Sequence, residues 1–169
     1  MNFLVWIENL PFFVWFRESG SVWGEPMFLF LHTLGMSMIA GLSAVVDLAI
    51  LGFWPKISIK PLEKVYPFLW TGFYINAVTG TILLLNDAST KIPSVVFWTK
   101  MAFVFGGVWL IVVMRKKIFH SEDLERGLLP AGSRGLALAS IVCWLGAIEA
   151  GRLLAYLGPV SGLTGISNH

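Results

Sequence analysis

The feature that most restricts the fold is a long apolar run over residues 26–53, in which His32 and Asp47 are the two strongly polar side chains. Because a helix rises about 1.5 Å per residue, roughly 20 apolar residues cross a hydrocarbon core. Further runs cover residues 66–86, 94–114 and 134–157. Only 13% of the residues are charged, against about 25% in a typical soluble domain. The sequence therefore predicts an all-α membrane protein, with four transmembrane helices in a bundle and one integral membrane domain over residues 1–169.

The N-terminal segment, residues 3–16, is rich in Trp and Phe but is broken by Glu8, Asn9 and Pro11. It is too short and too interrupted to span a bilayer. Aromatic rings are stable at headgroup depth, so the segment is predicted to be an amphipathic helix that lies in the membrane interface.

Lysine and arginine are concentrated in two loops, which predicts the topology. Basic loops face the cytoplasm, so we expect a bacterial inner-membrane protein with both termini periplasmic. The loop after the first span and the loop after the third carry Lys56, Lys60, Lys64, Arg115, Lys116, Lys117, Arg126 and Arg134, whereas the opposite side carries only Arg17 and Lys91.

Polar side chains inside the spans indicate a candidate site. His32 and Asp47 fall on one stripe of the first span, at helical spacing with Met36 and Ser43 between them. This stripe is expected to face protein, since an ionisable group that faces lipid costs several kcal/mol. Asp47 lies alone at the inner end of its helix.

Four ionisable residues are predicted to lie at a common depth in the outer half of the bundle, within a slab of roughly 5 Å. Two cations and one carboxylate leave an uncompensated positive charge there, so an anionic group is expected to bind. Haem b is one candidate, with His32 as the iron ligand, Met101 at a suitable depth for the second ligand, and the cations beside the propionates. The four residues are His32, Lys100, Glu149 and Arg152.

Each residue also has a structural interpretation. Glu149 and Arg152 are spaced i, i+3 and could neutralise each other, and Lys100 could extend to the outer headgroups. His32 could be a neutral, hydrogen-bonded histidine. Asp47 fits a hydrogen-bonding or helix-orienting group better than a proton carrier.

A series of positions resembles a family of small four-span bacterial inner-membrane proteins with no assigned function, similar in layout to the CopD copper-resistance bundle. The resemblance implies the four-span architecture and supports His32, Asp47, Lys100 and Arg152 as candidate functional positions. It implies no activity. Family members often carry a further histidine at the inner end of the third span, where this chain has Val113 to Lys116. The matching positions are Trp15 to Ser19, Pro26, His32, Gly35, Gly41, Asp47, Leu48, Leu51, Gly52, Trp70, Gly72, Gly80, Lys100, Trp144 and Gly151 to Leu153.

Three functions fit the sequence. The preferred one is a small multi-pass subunit of a larger membrane complex of the electron-transfer type, with a haem b or a quinone in its outer half. The alternatives are a cofactor-free accessory or assembly subunit and a small metal or proton transporter. Partners are expected to be the lipid bilayer and either other membrane proteins or further copies of the chain. A net charge of +2 does not indicate nucleic-acid binding, and with no nucleophile paired to a histidine we expect no catalytic activity of its own.

Overall fold

The computed structural model describes residues 3–156, and within these residues the secondary structure is helical, with no strand. The predicted end of the fourth span, residue 157, and the two termini lie outside the described residues. The elements in chain order are α1 (Phe3–Glu8), α2 (Pro11–Glu18), α3 (Glu25–Leu51), a 3₁₀ helix (Lys60–Val65), α4 (Tyr66–Leu85), α5 (Ala88–Lys91), α6 (Val95–Met114), a π segment (Arg115–Phe119), α7 (Glu122–Glu125) and α8 (Ser133–Tyr156).

Between residues 3 and 156, four helical stretches are long and apolar enough to cross a membrane, so the prediction of an all-α four-helix membrane bundle is confirmed. Their bounds are Glu25–Leu51, Lys60–Leu85, Val95–Phe119 and Ser133–Leu154. The first stretch ends two residues earlier than predicted because Gly52 adopts a left-handed conformation, with φ of 91°, and its N–H donates to the carbonyl of Ala49. Glycine adopts the left-handed conformation without strain, whereas other residues do so only with strain, so glycine commonly follows the last residue of a helix. The third stretch extends past Met114 through the π segment.

The bundle consists of two helix pairs. Helices α3 and α4 form one extensive contact and α6 and α8 form another, while a smaller contact between α3 and α8 joins the two pairs. The 3₁₀ helix and the π segment also meet: Glu63 accepts hydrogen bonds from His120 Nε2 at 2.9 Å and Arg115 Nε at 3.4 Å. Both basic loops therefore lie at one end of the bundle, which we call the inner end; the opposite end is the outer end.

The main hydrophobic core lies towards the inner end. Its most deeply buried members include Ile50 on α3, Leu69 on α4 and Ile118 in the π segment. The rings of Tyr66 and Phe119 pack edge to face, with centroids 5.3 Å apart. This core extends from Ile39 and Ala40 near the middle of α3 to the inner end of the bundle.

The α3–α4 contact is close enough for backbone to touch backbone. A Cβ added at Gly35 would lie 2.7 Å from the backbone nitrogen of Asn76, and one added at Gly72 would lie 2.7 Å from Cβ of Met38. A side chain at either position would force the helices apart. Small residues at four-residue spacing on α4 thus permit the close approach that such strips provide in membrane bundles.

The aromatic N-terminal segment forms two short helices where the sequence predicts one. The break falls at Asn9 and Leu10, just before Pro11, which occupies the first turn of α2 as proline commonly does. The segment is tied to the outer end: Glu8 Oε1 accepts from the N–H of Ser89 at 2.6 Å, and Arg17 Nη1 donates to the carbonyl of Asn86 at 2.9 Å. Its position at the membrane interface stays a prediction.

Candidate functional site

A cavity lies between α3 and α8, with one contribution from α6. Its volume is about 780 Å³, within the range of roughly 300–1,000 Å³ that is common for small-molecule and cofactor sites. Small and apolar side chains form most of the wall. The lining residues are His32, Thr33, Met36, Ser37, Ala40, Gly41, Ala44, Asp47, Lys100, Ile141, Trp144, Leu145, Ala147, Ile148, Gly151 and Arg152.

Three of the ionisable residues predicted from their depth meet at the outer end of this cavity. His32 comes from α3, Lys100 from α6 and Arg152 from α8. Asp47 lines the same cavity fifteen residues further along α3, which corresponds to about 22 Å of helix. The cavity is therefore a long groove with a cationic outer end, an apolar middle and a carboxyl group at its inner end.

One side of the groove is open. Thr33, Ser37 and Gly41 on α3 are exposed, as is Leu145 on α8. Both helices are long and apolar enough to span a membrane, so in a membrane this opening would face lipid or a neighbouring protein. A ligand can therefore enter sideways from the lipid phase.

The imidazole of His32 is fixed by α4. Nδ1 lies 3.1 Å from the carbonyl oxygen of Asn76 and 3.3 Å from Oγ1 of Thr79. The Thr79 hydroxyl donates its own proton to the carbonyl of Ile75 at 2.6 Å. Both neighbours of Nδ1 are thus acceptors, so in the neutral ring we assign the proton to Nδ1 and the lone pair to Nε2. Nε2 makes no hydrogen bond to any residue between 3 and 156.

Two further contacts set the ring in place. The Asn76 amide donates from Nδ2 to the carbonyl of His32 at 2.9 Å, so the two residues exchange hydrogen bonds. The ring rests on Gly80, where an added Cβ would lie 2.8 Å from Cε1 of His32. In the sequence, Asn76 and Gly80 fall at the four-residue spacing of a helix-packing strip. The polar side chain of Asn76 was the only sequence feature that indicated a hydrogen-bonding role in addition to packing.

The two cations at the outer end are not paired with a carboxylate of residues 3–156. In the described part of the chain, neither Lys100 nor Arg152 has an acidic oxygen within 4.0 Å. The Lys100 side chain lies along Gly151, whose added Cβ would be 3.7 Å from its Cε. This distance is an ordinary van der Waals contact, so the lysine packs along α8 at position 151.

Two residues predicted for the site do not line the cavity. Glu149 is exposed on the outer surface of α8, and it forms no ion pair with Arg152 three residues later. Met101 follows Lys100 on α6 but is absent from the cavity wall. A role for either residue in ligand binding stays a prediction.

The inner end of the groove contains buried polar atoms that sequence reasoning only partly identified. Asp47 Oδ2 and the hydroxyl of Ser43 on α3 have no hydrogen-bond partner within residues 3–156, and neither do the hydroxyl of Ser140 and Nε1 of Trp144 on α8. Ser140 is the α8 side chain beside Asp47, although the two groups do not meet hydrogen-bond geometry. The spacing of four residues between Ser140 and Trp144, which places both on one face of α8, was the sequence feature that could have indicated this polar surface.

A bare metal ion would find few ligands in this site. Among the described residues, no three His, Cys, Asp or Glu side chains cluster in a way that could hold one. The donor set instead suits an amphiphilic molecule with acidic groups, for which one nitrogen ligand and two cations are available. Comparisons with protein-family models, curated proteins and solved structures gave no match, so the proposed function rests on this site alone.

Proposed function

We propose that the chain is a subunit of a larger membrane complex of the electron-transfer type, and that it holds a haem b at the outer end of the groove with Nε2 of His32 as an iron ligand. The observation that carries the proposal is the hydrogen bond between Nδ1 of His32 and the carbonyl of Asn76, at 3.1 Å. Histidines that bind metals almost always donate their other ring N–H to such an acceptor, which fixes the tautomer and the ring orientation.

The charges at the outer end support the same ligand. Lys100 and Arg152 bring two cations to the outer end of the groove, and neither forms an ion pair with a carboxylate in the described part of the chain. Unpaired charges inside a membrane bundle cost several kcal/mol, and the two propionates of a haem supply two negative charges. Lys100 is half-buried and Arg152 is exposed, so the lysine is expected to gain more from its counter-ion.

The open side of the groove supports a role as a subunit. Among the described residues, His32 is the one imidazole in the cavity wall. The side of the groove that would bring a second iron ligand is the opening between α3 and α8, which faces away from the bundle. A neighbouring subunit that covers this opening would exclude lipid and could bring the second ligand. The protein's own task is to hold, orient and partly enclose the cofactor, which when bound supplies one-electron transfer.

The test is the absorption spectrum of the purified protein, with haem quantified as its pyridine haemochrome. We expect a Soret band that is lost in His32→Ala and retained in His120→Ala, because His120 lies at the inner end beside Glu63, far from the groove. Lys100→Ala is expected to lower the haem content or to shift its reduction potential. A Soret band of full intensity in His32→Ala would overturn the proposal.

A quinone is the second candidate, and the length of the groove favours it. The groove follows α3 for about 22 Å, which suits a headgroup at the cationic end and an isoprenoid tail along the apolar middle. In this case Nε2 of His32 would accept a hydrogen bond from the reduced headgroup. Quinone extracted from the purified protein is expected to fall in His32→Ala and to stay constant in His120→Ala.

The remaining interpretations have outcomes of their own. Colourless protein without quinone, in which His32→Ala leaves expression and partner association unchanged, would favour a cofactor-free accessory or assembly subunit. Proton-coupled or metal-coupled uptake into proteoliposomes would favour a small transporter. The proposal of a bacterial inner-membrane location with periplasmic termini is tested separately by the reporter fusions described below.

A further inference from the structure

Four buried polar side chains of α3 and α8 form what we call the inner polar cluster: Ser43, Asp47, Ser140 and Trp144. Asp47 and Trp144 line the groove, Ser140 lies beside Asp47, and Ser43 precedes Asp47 by about one helical turn. All four are nearly inaccessible: Asp47 and Ser140 are each 1% exposed, Ser43 is 3% exposed and Trp144 is 4% exposed. Each has a side-chain atom without a hydrogen-bond partner among the described residues. Such groups cost about 1–3 kcal/mol apiece when left unsatisfied, so the cluster indicates that something else binds there.

Charge limits what this can be. Within the described residues no basic side chain pairs with Asp47, and Lys100 lies at the other end of the groove. From α4 the titratable neighbour is Tyr66, whose ring is covered by Arg115 with Cζ 5.6 Å from the centroid. From α8 the neighbour is the uncharged Ser140. An ionised carboxylate in this position would be buried without a counter-ion, which is far more costly than a neutral one.

We propose that the inner polar cluster is a proton-binding site, in which the Asp47 carboxyl group is protonated at neutral pH and bound to water that enters through the groove. A protonated carboxyl group is both a donor and an acceptor, and so are the two serine hydroxyls. A buried water commonly makes about three hydrogen bonds to such groups. Asp47 and Trp144 line the cavity wall, so the groove supplies the room that water requires.

A metal cation fits the cluster less well than a proton. The helix carbonyls around Asp47 and Ser140 are engaged within α3 and α8, which leaves the carboxyl group and two hydroxyls as ligands. Oxygen-binding cations such as Ca²⁺ take 6–8 ligands.

The proposal extends the function of the groove and does not depend on which ligand fills the outer end. Asp47 and His32 line one continuous cavity but lie fifteen residues apart on α3, about 22 Å along the helix, so the inner polar cluster and the outer end can be tested separately.

The test is infrared spectroscopy of the purified protein with aspartate labelled by ¹³C at the side-chain carboxyl. The chain contains three aspartates, and the others are Asp87, which pairs with Lys91 at 3.7 Å, and the exposed Asp123. We expect one carboxylic-acid C=O band at neutral pH that moves with the ¹³C label and shifts down in D₂O. Asp47→Asn is expected to remove it completely, while the matched control Asp87→Asn keeps it.

Several outcomes would overturn the proposal. A spectrum without a labelled carboxylic-acid band would mean that Asp47 is ionised, and a labelled band that does not respond to D₂O would exclude access by water. Loss of the band on addition of Na⁺ at constant pH would indicate a cation site. Should Asp47→Asn fail to fold, the labelled wild type still decides, and Ser140→Ala is expected to move the band without removing it.

Discussion

Replacement of Gly35 by alanine tests the closest contact of the bundle. The added Cβ would lie 2.7 Å from the backbone nitrogen of Asn76 and 2.9 Å from the carbonyl oxygen of Gly72. Both neighbours are backbone atoms of α4, so neither can rotate away as a side chain could. The two helices must therefore separate by a fraction of an ångström along their extensive contact.

The expected cost has two parts. Overpacking of a well-packed contact destabilises by about 1–3 kcal/mol. Separation also lengthens the two hydrogen bonds that His32 and Asn76 exchange, at 3.1 and 2.9 Å, each worth about 0.5–1.5 kcal/mol. We expect Gly35→Ala to lower the free energy of unfolding by about 2–4 kcal/mol.

The measurement is an SDS-unfolding titration in mild detergent micelles, followed by tryptophan fluorescence. The matched control is Gly41→Ala on the same helix, where an added Cβ meets nothing within 4 Å. Because alanine is the better helix former by about 1 kcal/mol, this variant is expected to equal or exceed the wild type. Equal stability of Gly35→Ala and wild type, or an equal loss in both variants, would refute the close contact as the cause.

Two further predictions concern the ends of the bundle. A reporter fused after Lys117 is expected to be cytoplasmic and one fused after His169 periplasmic, and two reporters on the same side would contradict the topology. Glu8→Ala is expected to destabilise the protein by about 1–3 kcal/mol, since it removes a carboxylate that accepts from the N–H and hydroxyl of Ser89 at 2.6 and 3.0 Å. Glu18→Ala serves as its control, and the two variants are compared by thermal unfolding in detergent.

The spans were predictable because they rest on strong and simple signals. A run of about 20 apolar residues has few stable structures other than a membrane helix. The depth of each residue in the membrane was equally predictable, because the rise per residue of a helix converts the distance in sequence from the end of a span into a height along it. This is why His32, Lys100 and Arg152 could be assigned to one level before their shared cavity was known.

Helix rotation was harder to predict than depth. Glu149 has nearly the same height as Arg152, yet α8 turns its buried face, with Ala147 and Ala150, into the bundle and leaves Glu149 outside. A span that is apolar on all sides gives little indication of which face is buried, because lipid is as apolar as the protein core. The same ambiguity applies to Met101, one residue from the cavity-lining Lys100.

The inner polar cluster could not be predicted because it joins residues distant in sequence. Asp47 and Ser140 lie on the first and fourth spans, and only the α3–α8 contact brings them together. The break between α1 and α2 was indicated in the sequence by Pro11. The sequence alone does not distinguish a proline that begins a second helix from a proline within one irregular helix.

The division of the bundle into two helix pairs has a thermodynamic consequence. The groove lies at the smaller α3–α8 contact, so a molecule bound there touches both pairs and adds its binding free energy to the contact that joins them. At a free concentration of about 100 times the dissociation constant this term is about 2.7 kcal/mol. Detergent that removes such a molecule would also remove this term, and the α3–α8 contact, the smallest of the three, would then hold the two pairs together alone.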